Sequence, residues 1–170
     1  MPTKPKPLEL EALMNYAARS LSARAQSSSE LRTRLKRRAA HAQDVEQVLA
    51  RLKDAGLIND QQFASAFTSW RKENQGFGKT RVMRDLMARR VAPALAQRAV
   101  DAAYENVDET ALIEAFLKRK YRGKDLGALL AEEKHLASAF RKLRAAGFSP
   151  GASIRTLKRY AAQADQLDED

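Results

Sequence analysis

The sequence predicts an all-α protein, an elongated array of three tandem three-helix units, and three observations support this. Val and Ile together number only nine in 170 residues, whereas Ala alone numbers 31, a composition that favours helices over strands. Large apolar side chains make up about a quarter of the chain, which suits thin helix–helix seams better than one thick core. Apolar residues also recur at helical spacing, in a pattern that returns roughly every 50 residues.

The repeat is clearest in the middle and last helices of each predicted unit. Its apolar positions are Leu31, Leu35, Val45, Val48 and Leu49 in the first copy; Val82, Leu86, Leu95, Ala99 and Val100 in the second; Phe140, Leu143, Ile154 and Leu157 in the third. Stacked helical units follow from such a period. We place the units at residues 8–56, 57–105 and 106–161, between a basic segment at 1–7, expected to be disordered, and an acidic tail at 162–170.

In the first unit, a helix is predicted from near Leu8 to about Gln26. The run Ser27-Ser28-Ser29 supplies the N-cap of the second helix, and Asp44 is expected to cap the third. Gly56 is well placed to end that third helix, because glycine adopts the left-handed conformation found there.

The central unit contains the most distinctive sequence. Phe63, Phe67 and Trp70 fall at i, i+4 and i+7, so they predict one apolar helix stripe with Trp70 buried. A glycine-rich turn at residues 76–81 then leads into a basic helix, and Pro93 opens the next one.

In the last unit, Asp108 is predicted to cap a helix, and residues 123–130 read as a turn and a short helix. Gly147-Phe148 ends the following helix. Ser149-Pro150 then provides the N-cap and first residue of the final one.

The motifs of catalysis are missing. Gly78-Lys79-Thr80 resembles the end of a phosphate-binding P-loop, but Glu73 stands where that motif needs glycine, and no strand precedes it. No nucleophile–base–acid set can be assembled. Cys is absent, and the only histidines, His41 and His135, lack ligand spacing. We therefore expect neither an enzyme nor a cofactor or metal.

No apolar run is long enough to cross a bilayer and no signal-peptide core follows Met1, so a cytoplasmic monomer without membrane contact is expected. The net charge is +10. It indicates either an ordinary solvated helical surface or contact with a polyanion, nucleic acid or an acidic protein.

The placement of the cations favours contact with a polyanion. Residues 30–38 hold five cations and one acid, and residues 118–122 hold four cations and no acid, whereas solvated helices usually interleave both signs. The candidate binding residues are Arg32, Arg34, Lys36, Arg37, Arg38, Arg71, Lys79, Arg81, Arg84, Arg89, Arg90, Arg141 and Arg144.

The central segment resembles the RecX family of RecA regulators. The resemblance rests on Gly56-Leu57-Ile58-Asn59-Asp60 with Phe63 and Ala64, on Arg71, Gly76, Gly78 and Arg81, and on Leu86 with Arg90-Val91. Ser29-Glu30-Leu31-x3-Leu35 resembles the family's first-unit signature, and Arg144-x2-Gly147-Phe148-Ser149 its last. The chain departs from the family pattern at Arg90, where glycine is usual, at residues 26–28, which are usually more basic, and near residues 38–40.

The resemblance implies a curved array that binds the groove of the RecA–DNA filament. Such a protein restrains the ATPase, growth and strand exchange of RecA, within recombination, DNA repair and the SOS response. It also touches single- and double-stranded DNA more weakly. Phe63 would pack and the glycines would form the turn, while Arg71 and Arg81 would either anchor helices or face the partner. The alternatives are a general basic nucleic-acid-binding protein, which would track phosphates, and a purely structural helical scaffold.

Overall fold

A computed structural model of the protein describes residues 6–161. Within that range the chain forms ten α-helices, one π-helical turn at Arg71–Gln75 and no strand beyond an isolated bridge between Leu8 and Ala39. The helices are α1 Leu10–Ala23, α2 Ser28–Lys36, α3 Ala42–Asp54, α4 Asp60–Trp70, α5 Lys79–Ala88, α6 Pro93–Tyr104, α7 Glu109–Lys120, α8 Leu126–Leu130, α9 Glu133–Ala145 and α10 Pro150–Leu157. The all-α prediction is confirmed. Disorder is expected at residues 1–7; residues 1–5 of that segment and the acidic tail at 162–170 lie outside the described residues.

Helix starts follow the predicted caps with one exception. The side chains of Ser27, Asp108 and Ser149 each accept a hydrogen bond from a backbone N–H in the first turn of the helix they precede. The prediction for Asp44 is wrong, because α3 already begins at Ala42 and His41 occupies the cap position without a side-chain bond. Asp44 instead lies within the first turn, where its charge still complements the positive end of the helix.

Three helices end in the same Schellman motif, in which two backbone N–H groups return to carbonyls of the last turn. After α3, Gly56 N–H donates to Lys53 O and Leu57 N–H to Leu52 O. The corresponding pairs after α5 are Arg90 to Met87 and Val91 to Leu86; after α9 they are Gly147 to Arg144 and Phe148 to Leu143. The predicted role of Gly56 is confirmed.

The chain divides into two compact units. One takes the residues up to Ala66 together with Leu86–Ala96, and the other takes Phe67–Asp85 together with the residues from Gln97 onward. Helices α4, α5 and α6 therefore each contribute residues to both units. The three-unit boundaries inferred from the repeat stay a prediction.

The first compact unit buries the facing sides of α1, α2 and α3. Its core consists of Leu13, Ala17, Leu31, Leu35, Val45, Val48, Leu49, Leu52 and Ile58. Five of these nine residues, Leu31, Leu35, Val45, Val48 and Leu49, are the apolar positions of the first copy of the repeat, so periodicity identified much of this core.

The second compact unit has its core among α7 to α10. It consists of Ile113, Leu117, Leu130, Leu136, Ala139, Leu143, Ala146, Phe148, Ala152, Leu157 and Ala161. Phe148 is the largest fully buried side chain, and its ring meets Phe116 edge to face, with the centroids 5.7 Å apart. No helix in the described part of the chain is long and apolar enough to cross a membrane.

The expected burial of Trp70 is wrong, because its side chain is 50% exposed. Ala64 and Thr68 are fully buried, and Arg71 continues their line with its side chain only 21% exposed. The buried stripe of α4 therefore runs one residue away from the aromatic stripe. Phe63 and Phe67 lie at its margin, each partly buried.

Candidate binding surfaces

Arg71 and Arg81 share one carboxylate, that of Asp85. Arg71 Nη2 lies 3.0 Å from Asp85 Oδ2, and Arg81 Nε lies 3.2 Å from Asp85 Oδ1. Asp85 is only 15% exposed and Arg71 only 21%, so their ion pair is shielded from water, whereas Arg81 is 34% exposed. Asp85 thus ties the π-helical turn to α5.

Aromatic rings complete this anchor. The Arg71 guanidinium carbon lies 5.2 Å from the centroid of the Phe67 ring and 5.5 Å from that of Phe77. Arg81 approaches the Phe77 ring to 4.9 Å, so two guanidinium groups attract one ring. Of the two roles that the sequence left open for Arg71 and Arg81, these contacts favour the anchoring of helices.

The glycine motif at residues 76–81 contacts the turn between α9 and α10. Gly78 N–H donates to Ala146 O at 2.9 Å, and Thr80 N–H donates to Gly147 O at 3.2 Å. These are N–H groups at the start of α5, which a P-loop would offer to phosphate. Because carbonyl oxygens of the same chain accept them, this helix start is already capped.

Contact between the two backbones requires glycine at both positions. A Cβ on Gly78 would approach the Gly147 carbonyl, and one on Gly147 would approach the Arg81 backbone, each closer than 3.0 Å. The glycine motif at residues 76–81 and the segment at residues 144–149, both of which resemble motifs of the RecX family, thus pack against each other. Glycine-specific packing, rather than turn flexibility alone, explains Gly78.

Further candidate cations also have partners. Arg81 and Arg84 both donate to Ala145 O, at 3.2 and 3.4 Å, and Arg144 donates to Phe148 O. Lys79 pairs with Asp101 at 3.0 Å on an exposed surface. The pKa of Asp101 is lowered by hydrogen bonds from Gln97 and then from Lys79.

On α2, Arg32 binds Glu46 of α3 through two hydrogen bonds, of 2.9 and 3.2 Å. This interaction lowers the pKa of the Glu46 carboxyl and raises that of Arg32. Arg34 donates to Ser20 Oγ at 3.0 Å, and the Arg38 guanidinium lies 5.2 Å from the Tyr16 ring.

Four of the predicted binding residues make no side-chain hydrogen bond or ion pair with any residue in the range 6–161. They are Lys36, Arg37, Arg90 and Arg141, and all are exposed. An unpaired, exposed cation keeps its full capacity to bind an anion. These four side chains are therefore the best-placed of the thirteen for contact with a partner.

The candidate residues chosen from the sequence included Arg89 but omitted Arg24 and the basic run after Phe116. Arg24 pairs with Glu30 at 2.5 Å, and Arg89 approaches the same carboxylate oxygen at 3.4 Å. The acid-free run after Phe116 also leaves four exposed cations, Lys118, Lys120, Arg122 and Lys124. The count of charges in the sequence had already indicated this basic run, whereas the pairing of Arg24 with Glu30 of α2 could be recognised only in the structure. Arg119, from the same run, instead donates to Asn74 O and Gln75 O of the π-helical turn.

The fold and surfaces define an all-helical protein of tandem three-helix domains whose helices expose unpaired cations. Family models for the first and second three-helix domains of RecX match residues 14–52 and 59–100. The chain is 32% identical to the regulatory protein RecX of Deinococcus radiodurans, over 99% of this chain and 78% of that protein. It is 30% identical to that of Chlorobaculum tepidum, over 91% and 94%. The chain belongs to the RecX family.

A solved structure agrees with this assignment at the level of the fold. The crystal structure of RecX from Lactobacillus salivarius superposes with a TM-score of 0.65, covering 95% of this chain and 97% of that one. Identity between the two is 17%, so this likeness concerns the fold alone. The curated relatives carry the name of regulatory proteins.

Proposed function

We propose that this protein regulates homologous recombination and DNA repair by binding the RecA–DNA filament and inhibiting RecA ATPase activity, filament growth and strand exchange. The observation that carries the proposal is membership of the RecX family along nearly the whole chain. The exposed, unpaired Lys36, Arg37, Arg90 and Arg141 support it, because a filament of DNA and protein presents negative charge.

The mechanism follows from repetition on both sides. A filament repeats one surface, and this chain repeats a three-helix domain, so several domains can engage adjacent protomers at once. Each contact raises the effective concentration for the next one. A protein that contacts several protomers at once would restrict their rotation relative to one another. It would thereby slow the motion that ATP turnover by RecA needs. The protein itself needs no catalytic group for this activity.

The test is the DNA-dependent hydrolysis of ATP by RecA, followed while this protein is titrated into preformed filaments. We expect inhibition that saturates at substoichiometric or near-stoichiometric amounts, and no ATP hydrolysis by this protein alone. A control reaction replaces RecA with a DNA-independent ATPase, to exclude trapping of nucleotide. Unchanged RecA turnover at saturating amounts would contradict the proposal.

General nucleic-acid binding is the second candidate function, and the unpaired cations together with a net charge of +10 favour it. It differs from the first in its dependence on salt. A phosphate-tracking protein would lose all effect on RecA at the salt concentration where it leaves free DNA, whereas a filament regulator would keep inhibiting there.

A further inference from the structure

Arg90 is the one residue other than glycine with a positive φ among residues 6–161, at +58°. It occupies the position after α5 that Gly56 holds after α3 and Gly147 after α9, in the same Schellman motif. At these two sites the left-handed backbone has glycine, with φ of +67° and +91°. The two corresponding positions in the same protein thus show that glycine is the usual residue at this site.

An arginine in this conformation is strained, because its Cβ crowds the neighbouring carbonyl oxygen. No contact within the described chain offsets that strain, since the Arg90 side chain is exposed and makes no hydrogen bond or ion pair there. Strain that no internal contact offsets indicates that Arg90 interacts with a partner outside the chain.

The surroundings of Arg90 identify the chemistry of that contact. The carbonyl of the preceding residue, Arg89, accepts a 2.6 Å hydrogen bond from Ser27 Oγ, and Ser27 is the N-cap of α2. The backbone that leads into Arg90 therefore lies against the N-terminus of α2. There Glu30 Oε1 is already shared by Arg24 and Arg89. Arg34 lies one turn further along α2 and donates to Ser20 Oγ.

We propose that Arg90 binds a backbone phosphate of nucleic acid, with the arginines gathered around Glu30 providing the surrounding positive field. Arg24, Arg34, Arg89 and Arg90 outnumber the two carboxylates at this helix start, Glu30 and the Asp60 that accepts hydrogen bonds from Ser28, and leave a net positive charge. Protein surfaces mix both signs of charge, whereas a polynucleotide carries only negative charge at regular intervals. A surface with an excess of arginine therefore suits a polynucleotide, and the planar guanidinium can hold a phosphate through two hydrogen bonds.

This assignment concerns the DNA contact within the proposed function, so its binding test uses DNA without RecA, and the same variants are then assayed for inhibition of RecA ATPase activity. Three variants separate charge from strain: Arg90→Gly, Arg90→Ala and Arg90→Lys. Binding to a labelled oligodeoxythymidylate is measured by fluorescence anisotropy across a salt series, and unfolding is followed by circular dichroism. Arg98→Ala, which removes an exposed cation outside the proposed site, controls for net charge.

We expect stability to follow the backbone and affinity to follow the charge. Arg90→Gly should raise the unfolding midpoint by about 2–4 °C, while Ala and Lys, which keep the strain, should leave it near that of the parent. Gly and Ala should both weaken DNA binding roughly five- to tenfold at about 0.1 M salt and lower the salt slope by about one. Lys should retain most of the affinity, and Arg98→Ala should change the slope much less.

Three results would overturn the assignment. Affinity of Arg90→Gly equal to that of the parent would mean that the guanidinium contacts no phosphate. Absence of stabilisation in Arg90→Gly would remove the strain from which the argument starts. Loss of RecA inhibition with intact binding to naked DNA would assign Arg90 to an acidic protein surface. A parent protein that bound DNA through Arg90 but never inhibited RecA would contradict the proposed function and leave this assignment standing.

Discussion

Gly78 and Gly147 show how a single hydrogen atom in place of a side chain can determine packing. Each Cα faces the backbone of the other segment, and a Cβ at either position would come closer than 3.0 Å to backbone atoms. Backbone cannot move aside as a flexible side chain can, so the clash must be relieved by separating the start of α5 from the turn after α9.

Gly147→Ala is therefore predicted to destabilise the protein by about 3 kcal/mol, about 1 from the left-handed backbone and the rest from overpacking. Gly56→Ala is the matched control, because Gly56 has the same position in a Schellman motif and nothing within 4 Å of its would-be Cβ. That variant should lose only about 1 kcal/mol. Urea unfolding measures both, and equal losses would show that the contact with α5 carries no energy.

Trp70 shows what helical spacing alone cannot decide. Three aromatic residues at i, i+4 and i+7 predicted the buried stripe of α4, yet Ala64 and Thr68 are the fully buried residues and Trp70 is half exposed. A small residue and a hydroxyl give no strong apolar signal. The adjacent line of the helix was therefore invisible to a count of large side chains.

At the scale of elements, the sequence predicted what local chemistry controls. The helix starts at Ser27, Asp108 and Ser149 and the stop at Gly56 followed from capping rules. The π-helical turn at Arg71–Gln75 could not be predicted, because it depends on tertiary partners, Asp85 for Arg71 and Ala103 O for Lys72. The candidate residues likewise could not be sorted into anchors and free charges from the sequence, because that distinction depends on tertiary partners such as Asp85.

Tyr104 links two elements of the second compact unit. It ends α6, is only 8% exposed, and its hydroxyl donates to Phe77 O at 2.5 Å, in the loop before α5. Burial raises the pKa of Tyr104 from 10.0 to about 12. The folded protein therefore keeps this proton at a pH where the unfolded chain releases it.

Stability from Tyr104 is thus fully present below about pH 10 and is lost as the pH rises toward 12, with a total loss on the order of 2–3 kcal/mol. Urea unfolding between about pH 9 and pH 12 should show this decline. Tyr104→Phe lacks the ionising group and serves as the control, since lysine titration affects both proteins alike. Parallel stability curves for the two proteins would contradict the assigned burial.

At the scale of the whole molecule, the question is whether +10 acts as a diffuse field or through particular faces. Many of its cations are used internally: Arg71 and Arg81 on Asp85, Arg32 on Glu46, Arg119 on the π-helical turn. The exposed cations include two groups at helix ends, Lys36 and Arg37 at the end of α2 and the acid-free run that ends α7. If the net charge acts as a diffuse field, the cations at the ends of α2 and α7 should contribute equally to binding. If one face binds the partner, their contributions should differ.

The double variant Lys36→Glu with Arg37→Glu tests this distinction against Lys118→Glu with Lys120→Glu. Both change the net charge by the same amount, and both reverse exposed cations at the C-terminal end of a helix, so their effects on the helix dipole are similar. We expect the α2 variant to raise the half-inhibitory concentration against RecA ATPase activity at least about tenfold, with the salt slope for free DNA reduced by about two. The α7 variant should change inhibition far less.

Filament inhibition should be the more sensitive of the two measurements, because it depends on several simultaneous contacts. Equal effects of the two variants would show that overall charge, and not the α2 face, governs binding.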